Sequence, residues 1–313
     1  MKKVLVTDGV NPLLLQGFEE AGFEVDYHPK ISLDQTRTMI PAYHGLIINS
    51  KILVDRNFLD LAVQLEWLGR LGSGMEIVDK AYAKSKGVGV YSSPEGNRNA
   101  VAEQALGMLL MLANKLLVAD REVRAMHWDR EKNRGFELSG RTIGLIGFGH
   151  TGSQFARKLA GMDMRVLAYD KYKKNYASDF PHVRETTLDE ILAKADIISF
   201  HLPLTNKTRQ LADKSFCESC KKGVILVNTS RGSIVNTADL VEGLSSGQLG
   251  GACLDVFENE KPPTFSETER QLYNRLYTFE NVVLSPHIAG WTVESKGKLA
   301  RILLEKILSN HSA

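Results

Sequence analysis

Long apolar runs are missing from this sequence. No stretch approaches the roughly 18 consecutive apolar residues that a spanning helix needs, so none is predicted. An excess of one charge is missing too. Lys and Arg number 39 against 37 Asp and Glu, a net +2, too little to argue for nucleic acid or an anionic membrane as partner. The opening Met-Lys-Lys-Val-Leu-Val-Thr-Asp-Gly has too short an apolar part for a signal peptide and reads as a first strand. The expectation is a cytoplasmic protein with no nucleic-acid or membrane partner. Cysteine is scarce, three in all. Cys217 and Cys220 form a C-x-x-C, but no second pair and no metal-spaced histidines accompany it, so no metal is expected. Residues 213–222 read as a helix before a buried strand, and Cys253 reads as core. Short-period repeats and low-complexity tracts are absent as well.

What is present is a globular balance, 43% apolar and 24% charged over 313 residues, enough for two domains. Short strands are predicted at 4–6, 24–27, 46–48, 65–68 and 88–91. Helical periodicity lies between them, as at 12–21 and 57–63. One long helix is predicted from about 99 to 127, and its polar continuation, 121–138, reads as an exposed arm. A second alternating series begins at Thr142, with strands at 143–146, 165–169, 197–200, 224–227, 251–256 and 282–284. Helices fall at 154–160 and 237–245, and a last one at 294–308. The stretch 259–280, with Pro262 and Pro263, looks most loop-like. Such alternation predicts parallel sheets with helices on their faces.

Gly147-Phe-Gly149-His-Thr-Gly152 is a G-x-G-x-x-G between a predicted strand and a predicted helix. The next strand ends at Asp170, 18 residues past Gly152 (170 − 152). This context predicts a dinucleotide site. Gly147 permits the tight turn, Gly149 the approach of a pyrophosphate, and Gly152 the packing of helix on strand. Asp170 would accept the ribose 2′-OH and repel a 2′-phosphate. Lys171, Lys173 and Lys174 follow it and can soften that exclusion.

Three more segments lie at the ends of late strands: Asn228-Thr-Ser-Arg231-Gly232, Leu254-Asp255-Val-Phe-Glu258-Asn-Glu260 and Ser285-Pro-His287-Ile-Ala-Gly290. Ligands of open α/β sheets bind outside the carboxyl ends of strands. An Arg, a Glu and a His converging there suit reduction of a 2-keto acid. Arg231 can hold the carboxylate and polarise the C2 oxygen, His287 can move the hydroxyl proton, and Glu260 can favour protonated His287. Asp255 can instead anchor a nicotinamide amide.

The glycine turn, Thr-Ser-Arg-Gly, Leu-Asp-Val-Phe-Glu-x-Glu and Ser-Pro-His-Ile-Ala-Gly, in this order over nearly the whole chain, resemble the D-isomer-specific 2-hydroxyacid dehydrogenase family. Gly69–Gly74 and Pro94–Glu103 resemble family segments too. The resemblance implies an α/β fold of two parallel-sheet domains. A Rossmann NAD-binding domain (100–287) is inserted in a flavodoxin-like substrate domain built from 1–99 and 288–313. It implies Arg231, Glu260 and His287 as the catalytic trio, and Ser73 and Gly74 as a carboxylate-binding turn. NAD contacts are implied at His150, Thr151, Asp170, Pro203, Thr208, Thr229, Ser230, Asp255 and Gly290. It also implies a homodimer formed through the long helix and arm, and hydride transfer between nicotinamide and C2 of a small 2-hydroxy or 2-keto acid. Family members acting on phosphoglycerate often carry Arg where this chain has Asn49. Arg70 and Lys51 are the remaining cations for a phosphate. D-3-phosphoglycerate dehydrogenase is therefore the alternative activity, and a non-enzymatic NADH-sensing corepressor the alternative of another class. The chain ends about 25 residues after His287, so no C-terminal regulatory domain is expected.

Overall fold

The computed structural model describes residues 1–313, which divide into two compact units, Met1–Arg98 with Trp291–Ala313, and Asn99–Gly290. Each is an α/β unit whose strands are all parallel, as the alternation of apolar runs and helical patterns predicts.

The first unit holds β1 (Lys3–Val6), β2 (Glu24–Tyr27), β3 (Gly45–Ile48), β4 (Trp67–Arg70) and β5 (Gly89–Ser92) in the order β2-β1-β3-β4-β5. That is the flavodoxin order. Val4, Leu5, Val6 and the run Leu46–Ile48 are fully buried, because helices cover both faces. One face packs on Phe18, Trp67 and the last helix, Val293–Leu308, through Ala300, Leu303 and Ile307.

The second unit holds β6 (Thr142–Ile146), β7 (Arg165–Tyr169), β8 (Val183–Glu185), β9 (Ile197–Phe200), β10 (Val224–Asn228), β11 (Leu249–Leu254) and β12 (Val282–Leu284). Their order is β12-β11-β10-β9-β6-β7-β8, so the direction of winding reverses between β6 and β9. This is the doubly wound dinucleotide arrangement with one strand added at an edge. Cys253 is fully buried, and Cys217 and Cys220 are buried free thiols. Burial pushes Cys217 up to about 11 and Cys220 to about 12, which keeps both unreactive.

Four expectations need correction. The long helix is two, Pro94–Ala113 and Leu116–Arg124, broken where Lys115 takes a left-handed φ of 51°. No helix continues through such a residue. The stretch 259–280 is not a loop. It carries the helix Glu267–Tyr277, started by a capping box in which Ser266 and Glu269 bond each other's backbone N–H. The strands expected at 65–68 and 251–256 lie at Trp67–Arg70 and Leu249–Leu254, each moved by two residues. No single helix is long and apolar enough to cross a membrane.

Candidate functional site

In the second unit the singled-out segments all follow carboxyl ends of strands: 147–152 after β6, Asp170 after β7, 201–208 after β9, 228–232 after β10, 255–260 after β11 and 285–290 after β12. At Gly147 φ is 96°, and a Cβ there would lie 2.4 Å from the His201 carbonyl oxygen. A Cβ on Gly152 would lie 2.2 Å from the Gly147 carbonyl oxygen. Backbone meets backbone at both points, so only glycine fits. Gly149 differs, because nothing lies within 4 Å of its Cβ position. It stands at the N-cap of His150–Leu159 and supplies no capping side chain. The turn is thus tight where it packs on the sheet and open at the N-terminus of a ten-residue helix, as a bound pyrophosphate requires.

Asp170 is held by three backbone donors. Phe148 N donates to Oδ2 at 2.9 Å, and Tyr172 N and Lys173 N donate to Oδ1 at 3.0 and 3.1 Å. Burial pushes its carboxyl up, but those N–H groups and the Lys173 charge outweigh it and hold the group below its ordinary value. The remaining acceptor capacity of an ionised carboxylate suits a ribose diol. The Thr229 hydroxyl oxygen is buried without a partner, which leaves a polar atom for a ligand. Thr208 bonds the Pro203 carbonyl at 2.6 Å and shapes the turn after β9. The Ser230 hydroxyl ties two strand ends: it donates to the Phe200 carbonyl and accepts from Leu202 N at 3.3 Å.

Arg231, Glu260 and His287 come together. Glu260 Oε2 lies 2.8 Å from His287 Nδ1, so the proton on Nδ1 is assigned by that partner. Burial pushes the Glu260 carboxyl up, yet the His287 hydrogen bond and charge, the Phe257 N–H and the Arg231 charge together hold it below its ordinary value. Glu258 is excluded from this role. Its Oε2 accepts Thr237 N at 2.8 Å at the start of a helix, and its Oε1 accepts Gln210 at 3.3 Å.

Two supports were not singled out for this purpose in the sequence. Asn228 takes Ser230 N on its Oδ1 and donates from Nδ2 to the Arg231 carbonyl at 2.9 Å, which fixes the loop bearing Arg231. Asp255 is fully buried, and its oxygens accept Ser285 Oγ at 2.6 Å, Ile288 N at 2.9 Å and Ala289 N at 2.8 Å. His287, between them, has a left-handed φ of 57° and donates its N–H to the Asp255 carbonyl at 2.7 Å. A non-glycine residue held there costs about 1–3 kcal/mol and persists only when its surroundings impose it. Asp255 therefore positions His287. The sequence signal was available: an acid closing an apolar strand must find buried donors.

Because Glu260 is held below its ordinary value, the stability it lends is present above that value, about 4.3, and lost as pH falls through the lower folded value. Glu260→Gln is expected to lower Tm at pH 7 by no more than about 1–3 °C, since both side chains are over a third exposed and the pair is screened by water. The deficit should hold to pH 5 and shrink below about pH 4. Thermal melts from pH 7 to 3 check this, and a deficit undiminished at pH 3 contradicts it.

In the first unit the substrate candidates sit at the carboxyl ends of β3 and β4. Arg70 Nε donates to the Asn49 carbonyl at 2.9 Å, and its Nη1 donates to the Gly74 carbonyl, tying the Ser73–Gly74 turn to the Asn49 loop. Lys51 Nζ donates to the Pro29 carbonyl at 2.9 Å and lies 4.0 Å from Asp8. Asp8 also accepts Asn49 N at 2.9 Å. An acid two residues past β1 is its only signal in the sequence.

Residues 106–289 match the family model described as D-isomer specific 2-hydroxyacid dehydrogenase, NAD binding domain. The chain belongs to this family. Within the D-2-hydroxyacid dehydrogenases it is 34% identical over 307 residues to a D-3-phosphoglycerate dehydrogenase of Archaeoglobus fulgidus, covering 98% of this chain and 57% of that one. It spans about half the length of the first such curated relatives. It is also 34% identical to a hydroxypyruvate reductase of Thermotoga maritima, covering 88% of this chain and 87% of the relative. A solved D-lactate dehydrogenase from Aquifex aeolicus, complexed with NAD and lactic acid, superposes with a TM-score of 0.85 at 25% identity, over 98% and 94% of the two chains. The glycine turn, Asp170 and the Arg-Glu-His trio thus lie within, or at the edge of, this family's NAD binding domain.

Proposed function

We propose that this chain is an NAD-dependent oxidoreductase acting on C2 of a small D-2-hydroxy acid or 2-keto acid. The observation that carries this is the 2.8 Å Glu260–His287 pair, with the Arg231 charge beside it, at the same sheet edge as the glycine turn and Asp170. Bound NADH supplies the hydride for reduction and NAD accepts it in oxidation. Arg231 binds the substrate carboxylate through its planar fork and polarises the C2 oxygen. His287 holds its Nδ1 proton against Glu260, so Nε2, which bonds nothing within the chain, gives its proton to the forming hydroxyl. Glu260 stabilises the charged imidazolium, and Asp255 and Asn228 keep the loops in register.

A substrate without a phosphate is favoured. Asn49 brings no charge, and the two nearby cations are engaged: Arg70 with the carbonyls of Asn49 and Gly74, Lys51 with Pro29 and Asp8. A phosphate carries nearly two negative charges and needs charge-assisted partners. Hydroxypyruvate or glyoxylate is therefore expected to be reduced with kcat/KM at least equal to that for phosphohydroxypyruvate. Asn49→Arg should raise kcat/KM for the phosphorylated compound alone, by about tenfold or more. Steady-state NADH oxidation over a keto-acid panel checks both. A strong preference for phosphohydroxypyruvate that Arg70→Ala or Lys51→Ala abolishes would make the chain a D-3-phosphoglycerate dehydrogenase instead, the activity named for the Archaeoglobus relative. NADH binding without turnover of any keto acid would favour the NADH-sensing reading.

A homodimer is part of this proposal. Leu116, Leu117, Val123, Met126 and Trp128 expose apolar surface along the helix after Lys115 and the arm that follows it, a concentration that isolated monomers rarely leave open.

A further inference from the structure

Three lysines follow Asp170, and they are not alike. All three are exposed, but Lys171 and Lys174 make no side-chain hydrogen bond or ion pair. Lys173 turns back: its Nζ donates to the Phe148 carbonyl at 2.8 Å. Phe148 is also the residue whose N–H reaches Asp170 Oδ2, and the backbone N–H of Lys173 reaches Asp170 Oδ1. The ammonium is thus fastened to the residue that holds the carboxylate. That residue cannot easily move, because the Phe148 ring is buried against Tyr176 and Phe180, with ring centroids 5.0 and 5.2 Å apart. Tyr176 is pinned in turn by a 2.7 Å bond from its hydroxyl to the Ala168 carbonyl.

We propose that Lys173 is a second coenzyme-discriminating residue, a tethered cation that reduces the exclusion of a 2′-phosphate by Asp170. The proposal rests on the dinucleotide reading of the glycine turn. A ribose 2′-hydroxyl donating to Asp170 is neutral, so a nearby ammonium changes its binding little. A 2′-phosphate is repelled by the carboxylate and attracted by the ammonium, so the same lysine is felt mainly by the phosphorylated coenzyme. Tethering matters because a free lysine must surrender its side-chain freedom to meet the phosphate, while Lys173 has already done so on the Phe148 carbonyl. Lys171, nearer to Asp170 in sequence, lacks this preorganisation.

The test is direct titration of NADH and NADPH, followed by nucleotide fluorescence, against the unmodified chain, Lys173→Met, Lys173→Arg and Lys171→Met. Each is made alone and with Asp170→Ser. The expected result is that Lys173→Met lowers the ratio of NADPH to NADH affinity about tenfold. Lys173→Arg should preserve the ratio, and Lys171→Met should change it less than threefold. In the Asp170→Ser background NADPH affinity should rise, and Lys173→Met should remove most of the gain. Equal weakening of both coenzymes by Lys173→Met would reduce the lysine to a fastener of the turn and overturn the proposal. So would a larger effect at Lys171, or a gain that survives Lys173→Met. Failure of the unmodified chain to bind either nucleotide would take down the dinucleotide reading and this proposal together, an outcome distinct from retained NADH binding with an unresponsive ratio.

Discussion

His287→Ala is expected to lower kcat for keto-acid reduction by about 10²–10⁴-fold, the usual weight of a positioned general acid, while NADH affinity changes little. The split follows from where the imidazole is anchored. Its contacts run to Glu260 and to the Asp255 backbone, whereas the glycine turn and Asp170 are held by Phe148, Tyr172, Lys173 and the Tyr169 carbonyl, which accepts Gly147 N. Removing the ring empties the proton-donating position and leaves the nucleotide-binding backbone as it was. Alanine is disfavoured at the left-handed φ of 57°, so part of any loss could be a shifted loop. His287→Asn separates the two effects, since asparagine tolerates that conformation but carries no proton-donating imidazole. Both variants should fall to a similar level. Turnover within tenfold of the unmodified chain in either one, with NADH bound normally, would remove His287 from the proposed proton-transfer role.

The parts of this chain that were legible in the sequence share a physical cause. Strands that are mostly buried are written as short apolar runs, so β7, β9 and β12 fall at the residues expected. The dinucleotide turn was readable because its glycines are demanded by contacts with backbone at Gly147 and Gly152, which no side chain can replace. What was not legible depended on single conformations or on partners far along the chain. Lys115 looks like any helical lysine, and only its left-handed φ breaks the helix. β8, Val-Arg-Glu at the sheet edge, is three residues long and nowhere fully buried, so it leaves no apolar run to read. The polar composition of 259–280 hid an amphipathic helix whose Ser266–Glu269 capping box was the overlooked clue. Spacing could not rank Glu258 against Glu260, because the choice is made by Thr237 and Gln210, which occupy Glu258 from another part of the chain. Asp255 shows the same limit: its residue type announced a buried acceptor, but the donors that fill it, Ser285, Ile288 and Ala289, lie about 30 residues on.

Arg231→Lys is expected to lower kcat/KM for the keto acid by about 10²-fold, with NADH affinity nearly unchanged. The Arg231 side chain adds one bond to its own loop, from Nη1 to the Ser230 carbonyl at 2.7 Å, but other groups hold that loop as well. Asn228 bonds the carbonyl of Arg231 and the N–H of Ser230, and Gly232 packs so closely that a Cβ would lie 1.8 Å from the Phe257 carbonyl oxygen. The substitution should therefore leave the backbone in place and change only the head group. Lysine keeps the positive charge, and with it the influence that helps hold the Glu260 carboxyl down. What it loses is the planar pair of donors that can meet both carboxylate oxygens at once, each charge-assisted bond being worth about 1.5–3 kcal/mol. The loss should appear mainly in KM if the fork only holds the carboxylate, and in kcat as well if it also polarises the C2 oxygen, because an interaction strengthened in the transition state lowers kcat when removed. Arg231→Gln, which discards the charge too, should fall further and should also raise the Glu260 carboxyl. Kinetics on one keto acid, with NADH titrated separately, decide the matter. An unchanged kcat/KM in Arg231→Lys would show that the substrate carboxylate is bound elsewhere, and a matching loss of NADH affinity would show that Arg231 serves the nucleotide rather than the acid.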